Sequence, residues 1–133
     1  MRDPRRFQQP RAGELRTVYG AEGHPILSIG VQTFTGAPAE KTWFEWAVRA
    51  GARHLSAHFR VDSFREAVPQ VAAWADEFDV KVGLHPHGGY MFGGQPDVVD
   101  HILELGGPRI GLCLDTAWVM QIGPRLGKPV EWV

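Results

Sequence analysis

A single cysteine, Cys113, occurs in 133 residues, so no intrachain disulfide can form and oxidative stapling is excluded as a source of stability. Long apolar runs are missing as well. None nears the ~18 residues of a membrane-spanning helix, so no membrane partner is expected. Neither sign of charge is in excess: 14 Lys and Arg stand against 15 Asp and Glu, for a formal net charge of −1. That balance gives no footing for nucleic acid or an anionic bilayer as partner. The Arg-rich start (Arg2, Arg5, Arg6, Arg11) is followed by no apolar core, so it does not read as a secretory signal. It reads as a solvated end rather than a phosphate contact. The lone thiol sits in an apolar run and fits a buried cysteine in a reducing compartment, so a cytoplasmic location is expected. No Gly-x-Gly-x-x-Gly follows the first strand-like run, which weakens a dinucleotide-binding reading.

What the sequence does hold is a repeat. Apolar, β-rich runs begin near Ile26, Arg53, Val80 and Arg109 and recur about every 27 residues, with helix-like segments between them. Residues 40–50 place Trp43, Phe44, Ala47 and Val48 at helical spacing, and Gly51 supplies a stop. Ser63 and Glu66 match a capping box. Pro69 conflicts with one continuous helix, so a short turn at 63–67 and a main helix from near Val68 are expected. Val71, Ala72, Trp74, Ala75 and Phe78 make its buried face. A third helix starts at Gln95-Pro96-Asp97 and stops at Gly106-Gly107-Pro108. Residues 1–25 read as an irregular basic lead-in with one helical turn near 14–19, and 26–133 as one domain. Within it, 116–128 reads as a loop and 129–133 as the first turn of another helix.

Alternating strands and helices of this size imply an α/β fold with parallel strands. Strands this short and apolar are expected where both faces are covered. A doubly wound sheet competes with a (β/α)8 barrel. A full barrel takes ~250 residues and eight units. Four strands therefore predict parallel β/α repeats forming about half of a TIM barrel. Open strand edges on such a half predict either a homo-oligomer or a missing half that closes the sheet.

The chemistry-bearing residues fall at the carboxyl ends of the strand-like runs. Val80 to Leu84 alternates and hands over to His85-Pro86-His87-Gly88-Gly89. Arg109 to Leu114 ends on Asp115, followed by Thr116-Ala117-Trp118, and His58 ends the second run. Parallel α/β proteins gather such ends on one rim. Two or three imidazoles with a carboxylate suit a divalent ion. Such an ion would polarise a carbonyl while a proton moves beside it. Without one, the histidines can still act as acid and base near neutral pH. His85 and His87 are the candidate catalytic residues, and Asp115, His87 and His85 the candidate metal ligands. His58 and Trp118 are candidate pocket walls. A structural role competes at each position: a hydrogen-bonded strand-end histidine, a packed tryptophan, or an aspartate serving as a helix or loop cap. His54 and His101 receive no role.

At these residues the sequence resembles the xylose-isomerase-like TIM-barrel superfamily, from about Ile26 to Val133. Leu84-His85-Pro86-His87-Gly88-Gly89 is similar to that family's Leu/Ile-His-Asn-His-Gly-Gly. Gly111-Leu112-Cys113-Leu114-Asp115-Thr116-Ala117-Trp118 is similar to its Gly-Leu-Cys-Leu-Asp-Thr-Gly-His or Asp-Thr-Tyr/Ala-Trp. The resemblance implies a (β/α)8 barrel with a divalent metal (zinc, manganese, cobalt or magnesium) at the strand carboxyl ends, bound in part by Asp115. It implies aldose–ketose isomerisation or epimerisation of a sugar or sugar phosphate. Three departures matter. The family takes its remaining His and Glu ligands from later strands, which are not expected within these 133 residues. No glutamate occurs from Val80 to Leu103, where the family often places a metal ligand. Trp118 replaces a histidine, which argues against the trinuclear zinc site of the endonuclease IV type.

Three readings follow. The first is a sugar isomerase/epimerase-like protein, incomplete in this chain. The second is a non-catalytic binding or scaffold half-barrel. The third is an endonuclease IV-like phosphodiesterase.

Overall fold

A computed structural model describes residues 12–86 and 96–118. Helix α1 (Ala12–Ala21) precedes strand β1 (Ser28–Phe34). Then come α2 (Thr42–Ala50), β2 (His54–Phe59), α3 (Phe64–Glu77), β3 (Lys81–Leu84), α4 (Pro96–Gly106) and β4 (Ile110–Leu112). Short 3-10 turns at Pro38–Lys41 and Gly107–Arg109 lead into α2 and β4. The strands form one sheet in the order β1-β2-β3-β4, and every neighbouring pair is parallel. The fold is α/β, as the repeat predicts.

Period-2 alternation divides the sheet into two faces. In β2, Leu55, Ala57 and Phe59 are buried while Ser56 and His58 are only half-buried. The buried set joins Phe34, Val82, Leu84 and Ile110 from the other strands. Against it pack Phe44 and Ala47 of α2, Val68, Val71, Trp74 and Ala75 of α3, and Val99 and Ile102 of α4. Phe44 stands at the centre, its ring about 6 Å from those of Phe34, Trp74 and Phe78. The opposite face carries small and polar side chains. Among the described residues it is only partly buried, with Ser56, His58 and His85 intermediate in exposure.

Several local expectations are corrected. Where one helical turn near 14–19 is expected, α1 runs ten residues, and its Arg16 lies against Gly51 at the end of α2. Pro69 sits inside an unbroken α3. Ala67, Val68 and Val71 around it are fully buried, and that packing outweighs the one helical hydrogen bond that proline cannot make. The capping box does not form. Ser63 is the N-cap of α3, yet its side chain makes no capping bond; its carbonyl accepts from the Glu66 and Ala67 amides instead. Val48 is exposed at 48%, because the buried stripe of α2 runs through Phe44, Ala47 and Ala50. Gly51 closes α2 as expected, with a left-handed φ of 77°. Residues 116–118 open a helical turn rather than a loop. The loop around Tyr90, Met91 and Phe92 and the helix start expected at 129–133 lie outside the described residues. Among the described residues, no helix is long and apolar enough to cross a membrane.

Candidate functional site

The site builds from strand register. Thr33 of β1 pairs with His58 of β2. The His85 amide donates to the Ala57 carbonyl at 2.8 Å, which extends the β2–β3 ladder one residue past β3. The Cys113 amide donates to the Leu84 carbonyl at 2.8 Å and extends β3–β4 in the same way. Parallel register puts paired side chains on one face. Thr33, His58, His85 and Cys113 therefore form a row across the face opposite the core, at the carboxyl ends of all four strands. The rings of His58 and His85 meet edge to face, with centroids 5.2 Å apart and planes at 82°.

Asp115 lies one strand period beyond Cys113 and turns back toward His85. Its Oδ2 is 3.2 Å from His85 Nε2. Its Oδ1 accepts hydrogen bonds from the amides of Ala117 (2.9 Å) and Trp118 (3.2 Å), the geometry of a helix N-cap. The Trp118 amide, reinforced by the Ala117 amide and by His85, holds the Asp115 carboxyl below the usual carboxylate range, against a partial desolvation that pushes it up. The aspartate is thus a ready anion beside an imidazole. The cap weighed from the sequence is present, and the other oxygen of the same side chain faces His85.

His58, His85 and Asp115 come together as the sequence predicts, and half-buried Trp118 adjoins them through its backbone. His87 lies outside the described residues. Cys113 is half-buried rather than buried, and it belongs to the row. The sequence signal for that was available: Cys113 is two residues before Asp115 and shares its face. Directly below His85, Gly83 keeps the row close-packed, since a Cβ there would stand 2.8 Å from the Cβ of Cys113. Glu40 is a residue the sequence reading missed. Its carboxylate accepts from the Thr35 amide (3.0 Å), the Thr35 hydroxyl (2.7 Å) and the Gly36 amide (3.0 Å), fixing the rim where β1 ends.

Donor chemistry fits a divalent ion in part. An imidazole nitrogen and a carboxylate oxygen face each other on separate elements. Among the described residues, no three His, Cys, Asp or Glu side chains gather as a metal site would need.

No family model matches the sequence, and no curated protein matches it. Among solved structures, the chain superposes on the crystal structure of the IolI protein with a bound zinc atom. The TM-score is 0.68 at 15% sequence identity, over 90% of this chain and 51% of that one. A match at this identity shows the fold. The neighbour is a TIM barrel, and this chain spans about half its length. The four parallel strands are therefore those of a half-barrel.

Proposed function

We propose that this rim is the reaction site of a sugar or sugar-phosphate isomerase/epimerase-like barrel of the xylose-isomerase-like superfamily, which moves a proton beside a carbonyl. The observation that carries the reading is the His85–Asp115 pair at 3.2 Å on the carboxyl-end rim. An anionic carboxylate at this distance fixes the orientation of the imidazole that would carry the proton. The edge-to-face contact with His58 restrains the same ring. The zinc in the IolI structure adds support for a divalent ion at such a rim. Asp115, with His85 or His87, would hold that ion, and the imidazole not so used is left to move the proton. Bound there, the ion supplies Lewis-acid polarisation of the carbonyl. Small-molecule chemistry in the cytoplasm, without nucleic acid or membrane, is part of this reading.

The test is calorimetric titration with Zn²⁺ and Mn²⁺, paired with NMR detection of solvent deuterium entering aldose and ketose sugars next to the carbonyl. The expected result is a dissociation constant on the order of micromolar or tighter, lost in Asp115→Ala and weakened in His85→Ala, with exchange lost in both. Neither heat nor exchange in the wild-type protein would overturn the reading.

One observation favours the scaffold alternative: Asp115 Oδ1 is already engaged by two amides, as a purely structural cap would be. Metal-free binding of a sugar without exchange would support it. A salt-dependent shift with DNA carrying abasic sites would revive the phosphodiesterase.

A further inference from the structure

We propose that a second copy of this chain closes the barrel, with β4 of each copy seated in the slot between α1 and β1 of the other. The described elements alternate as four helix–strand pairs, half of an eightfold barrel, and the matched barrel chain is about twice as long. Among the described residues, the sheet leaves two open edges, β1 and β4, at opposite ends of one parallel order. A two-fold axis along the barrel brings β4 of each copy beside β1 of the other. All eight strands then run the same way and no edge remains.

The two edges are chemically matched. On the β4 side, Leu112 and Leu114 are 46% and 39% exposed. On the β1 side, α1 packs against α2 and overhangs a cavity of about 440 Å³, lined by Tyr19, Leu27, Ile29, Gly30 and Trp46 among others. That is where the helix of a β/α unit would cover a neighbouring strand, and no described strand of this chain occupies it. Leucines from a partner's β4 fit an apolar slot of this kind. A net charge of −1 leaves little repulsion between copies. Closure would also set the two rows of rim side chains around one mouth. The inference rests on the fold and not on the chemistry proposed for the rim, so either can fail alone.

Light scattering on size-separated protein gives the first test. The expected mass is twice the 14.8 kDa of one chain. Leu112→Arg should raise the dimer dissociation constant by about tenfold or more, because it buries an unpaired charge in the seam. Val48→Arg, on an exposed face of α2 away from both edges, should leave it unchanged, and circular dichroism checks that each variant is folded. The second test is cysteine trapping in a Cys113→Ser background. Leu27→Cys and Leu112→Cys proteins should form a mixed disulfide when combined, in preference to either self-pair. A monomer at all concentrations, higher open assemblies, or trapping only of like with like would overturn the proposal.

Discussion

Asp115 Oδ2 lies 3.2 Å from Nε2 of His85, while its other oxygen starts a helical turn. The two duties can be separated by substitution. Asn at 115 keeps an oxygen for the Ala117 and Trp118 amides; Ala keeps nothing. Asp115→Ala should cost about 1 kcal/mol of unfolding free energy, and Asp115→Asn only a fraction of that. Both should abolish metal binding and proton exchange alike. Denaturant titration beside calorimetry reads the two effects. Equal stability in Ala and Asn variants would refute the cap.

Acid should weaken the fold through the same group. The carboxyls of Asp115 and Asp79 are both held low, the first chiefly by the Trp118 amide and the second by hydrogen bonding to the Arg109 guanidinium. A carboxyl depressed in the folded state stabilises fully above its unfolded value, near 3.9, and loses that contribution as pH falls through the lower folded value. Stability should hold from about pH 6 to 5 and decline below about 4. Asp115→Asn should flatten the decline more than Asp79→Asn, because Asp79 is 89% exposed and its ion pair is screened by water. Urea midpoints measured across that range decide it.

Gly83→Ala should destabilise by about 1–3 kcal/mol, since its new methyl meets the Cβ of Cys113 at 2.8 Å in a row that cannot spread without parting β3 from β4. Gly111→Ala, whose Cβ would have nothing within 4 Å, is the control and should be nearly silent. Adding Cys113→Gly to Gly83→Ala removes the clash and should restore part of the loss. Thermal unfolding of the set is sufficient.

Pro69 should be a liability on an exposed helical position. Pro69→Ala restores an amide for the Arg65 carbonyl and relieves the ring clash, worth about 3 kcal/mol in a helix interior. It gives back up to about 1 kcal/mol through a freer unfolded chain. A net gain of about 2 kcal/mol is expected, read as a higher urea midpoint with unchanged slope. A fall in stability would mean that the ring itself packs usefully.

Much of the fold was legible because the sheet period repeats on the helical one. Alternation in Val80, Val82 and Leu84 marked β3, and apolar spacing in 96–106 marked α4, each to within a residue or two of its bounds. What stayed hidden depends on the third dimension. Pro69 is tolerated because buried neighbours on α3 outweigh one lost bond, which no local rule weighs. Val48 looks like core from its residue type, and only the tilt of α2 over Phe34 and Trp74 turns it outward. The rim was legible as a set of strand ends. Which oxygen of Asp115 reaches His85, and which begins a turn, follows from the β3–β4 register, and spacing alone does not fix that register.

The two contacts of Asp115 have a consequence for lineages. Under the proposed reaction, a relative that lost the chemistry could exchange this aspartate for asparagine, which still accepts from the Ala117 and Trp118 amides, but not for alanine without weakening the turn after β4. Active and silent relatives would then share a capping residue at position 115, and its charge, read together with the imidazole of His85 across from it, would tell them apart.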